Sequence, residues 1–492
     1  MYPDSTMGLG FSTENIVENV TNFVTGRKRK RTDSDDEEMN KCIEIALRPP
    51  KKKKLHCTEN YIYKALFLEG QNSDVTVCAL GKEHHLHRVY LYQSPYFASM
   101  FGGSWLESTK KYITIDVVDP AITLESLHVV FGSLYNSDVT LNPLEIVPIL
   151  ATATMFQMDG LIDLCTEVMM ETINPKTSLD YYNASCQYGD RKLQEACIRW
   201  FLVNLMTHYY NHSNMELSTI PISLMAKLVS HPDLFAIQTE YSIYVMLKCW
   251  IYSMQNDKNE WPPIGNVNEF FSNRTVKTPF LYTADGRQYI SVFQHLRLQN
   301  LITHQLDIVF LLRDNIIPKS WLTPVALQQW KNVLRVNQNE EKGPSNVPDE
   351  LFLKESIRCG RILNSKGRHV WRWTGFNFGM DLLMIADENT VSIKRNHRSE
   401  FEQLLSFQTT RHVAIRVTVA QLNEQKQIIY TKQSEIKKVS LWKGQEAVIM
   451  TFDGNLEYPL ILSANILYIT PEEIQNQNDE SQQSTEAVNT SE

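Results

Sequence analysis

The sequence predicts an α+β multidomain protein: an α/β unit, an all-helical domain and a C-terminal β-rich, sandwich-like domain, with disordered tails. Three observations carry this. A length of 492 residues exceeds what one ordinary core holds. The periodicity changes along the chain, from short strands among helical stripes, to helical stripes alone, to β-rich apolar runs. The composition, 43% hydrophobic and 21% charged, is that of a globular protein, yet both ends are richer in polar and charged residues than the rest.

Residues 1–56 form the N-terminal tail. Arg27-Lys28-Arg29-Lys30-Arg31 is followed by Asp33-Ser34-Asp35-Asp36-Glu37-Glu38, and later by Lys51-Lys52-Lys53-Lys54. Like charges repel and bury no apolar surface, so disorder is expected. Two basic clusters on a flexible tail read as a nuclear import signal. The net charge of -8 argues against wholesale coating of nucleic acid or anionic membrane.

The α/β unit is expected over 57–172. Tyr61 to Leu68 reads as an apolar helix, and Asp74-Val-Thr-Val-Cys-Ala-Leu80 as a strand with its turn at Gly81-Lys82. Ser94-Pro95 supplies an N-cap and a first-turn proline, with Tyr96, Phe97, Met100 and Phe101 on one helical face. A short strand follows at 112–117. Leu127, Val130, Phe131 and Leu134 then keep helical spacing, and two more helices fit 143–156 and 160–172, punctuated by Gly160.

Residues 173–336 carry helical stripes such as Cys197, Trp200, Phe201, Asn204 and Leu205, interrupted by a polar insertion around Trp261-Pro-Pro263. A linker is expected over 337–350. The β domain follows over 351–470, with β-rich runs at 413–420, 447–452 and 460–469. The tail over 471–492 is Gln, Asn, Ser and Glu-rich.

Chemistry-bearing motifs are few. Eight cysteines are scattered with no C-x-x-C pair, so reduced structural thiols are expected, with Cys165, Cys186 and Cys197 in the helical cores. Glu83-His84-His85-Leu86-His87 lacks the companion ligands of a zinc site, which leaves His87 a structural imidazole. No P-loop, G-x-G-x-x-G or G-x-S-x-G is present. The expectation is no enzyme, no catalytic residues, no metal and no cofactor. Trp371-Arg-Trp-Thr-Gly-Phe-Asn-Phe-Gly379 could stack on bases, but aromatics at period two fit one buried strand face better. No run reaches the ~18 apolar residues of a membrane span, and from Met1-Tyr2-Pro3-Asp4 neither a signal peptide nor, with Tyr2 in place of glycine, N-myristoylation is expected.

The pattern Asp74-Val-Thr-Val, Leu86-His87-Arg88-Val89, Ser94-Pro95-Tyr96-Phe97, Met100-Phe101, continued by Ala151 to Cys165, resembles the BTB/POZ signature. The helical region after it resembles the BACK domain. More narrowly, the chain from residue 58 to about 470 resembles the germ cell-less family. Thr58 to Tyr63, Phe131-Gly-Ser-Leu-Tyr135, Phe293 to Gln299, Arg358-Cys-Gly-Arg361 and Trp371 to Gly379 carry that likeness.

The resemblance implies nuclear, nuclear-matrix or nuclear-envelope association and a role in germ-cell development. It implies a BTB homodimer through the first helix, with Tyr61, Ile62, Ala65, Leu66 and Leu68 in the interface and Asp74 and Arg88 as a charged pair buried near it. It also implies cullin-3 contact through Phe101, Trp105, Leu106 and Glu107, the last three matching a hydrophobic-x-Glu motif after the Phe-rich helix, where an aromatic anchor and a carboxylate would divide the work. The expected function is a homodimeric adaptor of a cullin-3 ubiquitin ligase, its protein substrate held by the C-terminal domain, with no direct nucleic-acid contact. The rival is a nuclear scaffold or corepressor without ligase activity.

Overall fold

The computed structural model describes residues 58–103, 109–210, 215–256, 264–274, 277–302, 305–338, 343–372, 382–396 and 410–470. The chain divides into two compact units, residues 1–71 and 72–492. In the first, helix α1 (Thr58–Tyr61) continues into wide turns over Ile62–Leu68. The Glu69 amide donates to the Lys64 carbonyl at 3.0 Å, five residues back instead of four.

The second unit opens with a three-stranded sheet in the order β2-β1-β3, formed by β1 (Val75–Ala79), β2 (Lys82–Leu86) and β3 (Tyr112–Ile115). β1 runs antiparallel to β2 and parallel to β3. Val75, Val77, Ala79, Leu86, Ile113 and Ile115 are buried, the alternation a half-covered sheet requires. The β1–β2 turn lies at Leu80-Gly81, one residue earlier than the sequence suggested. Both residues take left-handed φ, 50° and 76°, as a tight hairpin with the strands' twist demands.

Helices α2 (Arg88–Leu91), α3 (Pro95–Gly102), α4 (Leu124–Ser133), α5 (Ile146–Met155) and α6 (Asp159–Glu171) accompany the sheet. Ser94 caps α3 and donates its hydroxyl to the Phe156 carbonyl at 2.6 Å, tying α3 to the end of α5. Phe97, Phe101, Phe131 and Phe156 form one buried aromatic cluster. Leu127, Val130, Phe131 and Leu134 are all buried, as their spacing predicted. The break between α5 and α6 is made by Gln157 at φ 54°, whereas Gly160 lies inside α6.

The helical region contains α7 (Ser178–Tyr188), α8 (Arg191–Asn204), α9 (Ile222–Ser230), α10 (Glu240–Gln255), α11 (Ile264–Ser272), α12 (Ile290–Phe293), α13 (Gln305–Asp314) and α14 (Lys319–Asn337). Gly189, at φ 76°, ends α7, and Asp190 caps α8 by accepting from the Leu193 amide at 3.0 Å. The stripe Cys197, Trp200, Phe201, Asn204 and Leu205 is buried. Trp261-Pro-Pro263 lies outside the described residues. After α14, Gly343 and Pro344 are bound to the segment just after the last strand: the Thr470 amide donates to the Pro344 carbonyl at 2.9 Å and its hydroxyl to the Gly343 carbonyl at 2.7 Å.

A short helix α15 (Asp349–Glu355) leads into two antiparallel sheets. One has the order β10-β8-β12-β4, with β9 also on β8; it contains β4 (Ile357–Leu363), β8 (Thr410–Leu422), β9 (Ile428–Gln433), β10 (Lys437–Trp442) and β12 (Leu460–Tyr468). The other has the order β11-β7-β6-β5, with β5 (His369–Arg372), β6 (Leu382–Ala386), β7 (Thr390–Arg395) and β11 (Glu446–Thr451). Leu363, Val417, Val419 and Leu462 from the first sheet share one core with Trp371, Met384, Ile393 and Ile449 from the second. This is the sandwich the sequence predicted, and Trp371 is a core residue of it.

Candidate protein-interaction sites

Trp105, Leu106 and Glu107 lie outside the described residues, between Gly103 and Thr109, as do both basic clusters of the tail. Phe101 is 6% exposed, stacked on Phe97 at 5.9 Å, with the Arg88 guanidinium 4.5 Å from its ring centre. It therefore belongs to the aromatic core that ends just before the motif and offers a partner little surface.

In the first unit, Tyr61 and Leu68 are exposed, Ile62 and Leu66 half-buried, and Ala65 buried. In the second unit Asp74 is exposed and Arg88 half-buried, where a buried pair was expected, and Asp74 accepts from the Arg88 main-chain amide at 2.8 Å. The Arg88 guanidinium donates to the Lys110 carbonyl at 2.6 Å. Asp74 thus fixes the start of α2 through backbone, taking one of the first amides, which no helix satisfies internally.

His87 is buried, and both its amide, at 2.9 Å, and its Nδ1, at 3.1 Å, meet the Tyr135 hydroxyl. The hydroxyl accepts from the amide and can donate to the ring, so the imidazole serves the core. His84 faces the same core beside Phe131, and burial together with Lys82 depresses its pKa to about 4. Among the described residues no three His, Cys, Asp or Glu side chains gather to hold a metal. Cys165 and Cys197 are buried, and burial pushes both thiols up to about 12. Cys186 corrects the sequence reading: it is exposed, accepting from Gln194 Nε2 at 2.9 Å, because α7 buries Tyr181, Tyr182, Ala184 and Ser185.

The sequence did not disclose an ionic cluster where the helical region meets the sandwich. Arg358 on β4 donates through Nε to Glu240 Oε2 at 2.9 Å and through its other end to Glu240 Oε1, while also reaching the Val229 carbonyl at 2.7 Å. The Arg297 amide donates to Glu240 Oε1 at 3.0 Å, and its guanidinium binds Ser356 and the Leu353 carbonyl. Burial, reinforced by Arg358, lowers Arg297 to about 9. Nearby, Arg416 on β8 pairs with Asp233, and Trp200 Nε1 donates to the Lys426 carbonyl at 2.8 Å. The one signal for this cluster was that Arg297 and Arg358 stand inside the stretches Phe293 to Gln299 and Arg358 to Arg361 that carried the family likeness.

Among the described residues no helix is long and apolar enough to cross a membrane. The BTB/POZ domain family matches residues 63–173, the span of the three-stranded sheet and helices α2 to α6 with the turns before them. The chain is 40% identical over 476 residues to protein germ cell-less of Drosophila melanogaster, covering 91% of this chain and 84% of the relative. It is 39% identical over 437 residues to germ cell-less protein-like 1 of Homo sapiens, covering 87% and 84%. Kelch repeat and BTB domain-containing protein 8 of Danio rerio is 33% identical over 134 residues, 27% of this chain and 22% of that one. The long matches run through the helical region and the sandwich as well as the BTB/POZ part, and the chain belongs to the germ cell-less family.

Proposed function

We propose that this chain is a homodimeric, non-catalytic adaptor that brings a protein substrate to a cullin-3 ubiquitin ligase in the nucleus, in the germ-cell setting its relatives' names state. The observation that carries the reading is the BTB/POZ match over 63–173 with Trp105-Leu106-Glu107 directly after α3. Self-association would use Tyr61 and Leu68, whose apolar side chains are exposed on the first unit, and, in the second unit, Asp74 and Arg88. The basic clusters, Arg27 to Arg31 and Lys51 to Lys54, would direct import. The sandwich would hold the substrate. No side chain of the adaptor needs to react: placing substrate lysines beside the transferring enzyme raises their effective concentration.

Binding of the cullin-3 amino-terminal domain to the full-length chain and to a Trp105→Ala, Glu107→Ala double variant tests this. Tight binding lost in the variant is the expected result. A folded wild-type dimer that does not bind would leave the nuclear scaffold or corepressor as the function. The full chain is the right material, since cutting at residue 330 would remove Arg358 from Glu240.

A further inference from the structure

We propose that the outer face and open edge of β9 dock an extended segment of a partner protein, with aliphatic side chains at alternate positions and a basic residue towards each end. This would be where the adaptor seats its substrate; calling the partner a substrate rests on the function proposed above, whereas the groove does not.

The groove has a volume of about 790 Å³ and lies between the sandwich and helices α6 and α8. Its floor is the outward face of β9-β8-β12, where Thr431, Ala420 and Ile461 stand in one row and Gln433, Thr418 and Ser463 in the next. Met170, Trp200 and Val203 form the helical wall.

β9 pairs with β8, and among the described residues no strand pairs with its other edge. The Ser434 amide donates to the Val417 carbonyl. Antiparallel alternation then turns the N–H and C=O groups of Gln433 and Thr431 away from β8, toward solvent. Thr431 and Gln433 are exposed, as is Ile429 at 56%. An added strand would satisfy those main-chain groups and drop every second side chain over the groove.

Charge sets the ends of the ligand. Beside the β8–β9 turn, exposed Glu171 ends α6, and its carbonyl accepts from Gln427 Nε2 at 2.7 Å. At the far end, Asp233 is one-third exposed; Arg416 and Gln433 hold its Oδ1, while Oδ2 has His231 Nδ1 at 4.0 Å. Gln427 to Gln433 spans about 20 Å of strand, room for about six residues. Arg199 on the wall disfavours a cation at the centre.

Selection of a phage-displayed random peptide library on the full-length chain tests the proposal. Enriched peptides should share alternating aliphatic positions flanked by Lys or Arg. The best should bind about tenfold more weakly to each of Thr431→Pro, Ile429→Asp and Glu171→Lys. A proline at an outward N–H leaves the β8–β9 ladder whole, and Ile429 and Glu171 are surface positions, so unchanged melting temperatures are expected. Cullin-3 binding is measured on the same samples: its absence in wild type would sink the adaptor function without touching the groove. Peptides without the pattern, no enrichment, or binding indifferent to all three variants would overturn the groove. So would a second copy occupying β9, seen as a smaller oligomer on Thr431→Pro with no peptide enriched.

Discussion

Glu240 and Arg358 are 0% and 1% exposed at their side chains, 118 residues apart in sequence and paired in two hydrogen bonds. Removing the carboxylate leaves a guanidinium with no route to water, so Glu240→Gln should cost about 3–5 kcal/mol, read as a lower urea midpoint. A Glu240→Met, Arg358→Met double variant should recover much of that loss, because both charges then go. Sequence could not show the pair: Thr239-Glu240 reads as an ordinary helix start, and nothing local aims that carboxylate at β4. His84 is a second buried group with a measurable consequence. Its folded pKa, about 4, lies below its ordinary 6.5, so the unfolded chain takes up the proton first. Its contribution to stability is whole above pH 6.5 and declines as pH falls toward 4. At pH 5.5 the loss is about 1 kcal/mol, and His84→Leu should flatten that part of the melting-temperature profile.

Elements with strong periodicity were legible, and edge elements were not. α3, α4 and α8 bury stripes at 3.6-residue spacing, and β8 and β12 are buried along nearly their whole length because the sandwich core covers one face and α15 and the helical region cover much of the other. β9, with the pattern Ile-Ile-Tyr-Thr-Lys-Gln, and β10, starting Lys437-Lys438, sit at an edge where one neighbour suffices, and their polar residues conceal the strands. Cys186 was misplaced because α7 carries a broad polar face one position beyond its buried stripe. β4 makes a sharper case. A Cβ at Gly360 would come within 2.5 Å of Phe235 Cε2 and 2.8 Å of the Ala236 carbonyl, while the Gly360 carbonyl accepts from the Gln238 amide at 2.9 Å. The glycine is there for close approach of the chain before α10, not for flexibility. Gly360→Ala should therefore lower the melting temperature and loosen residues 235–240 in hydrogen exchange; normal protection there would refute the packing account.

At the scale of the second unit, the linker expected over 337–350 does not mark a cutting point. Arg358 to Glu240, Arg416 to Asp233, Lys426 to Trp200, Gln427 to Glu171 and Gly360 to Gln238 all join the sandwich to the helices before it. Gly343 and Pro344 are themselves bound to Thr470, just after β12. An isolated 351–470 fragment would expose an unpaired Arg358 on β4 together with Ile461 and Ala420 of the groove floor. That fragment should be insoluble or melt well below the full-length chain, whose helical region and sandwich should unfold in one cooperative transition. Calorimetry distinguishes the cases: two separated transitions, or a fragment as stable as the sandwich in the intact chain, would mean that the ionic cluster merely decorates a contact between independent domains. One transition would mean that a segment docked on β9 is held in fixed geometry to α6, the last helix of the BTB/POZ part, which is the rigidity that positioning a substrate by proximity requires.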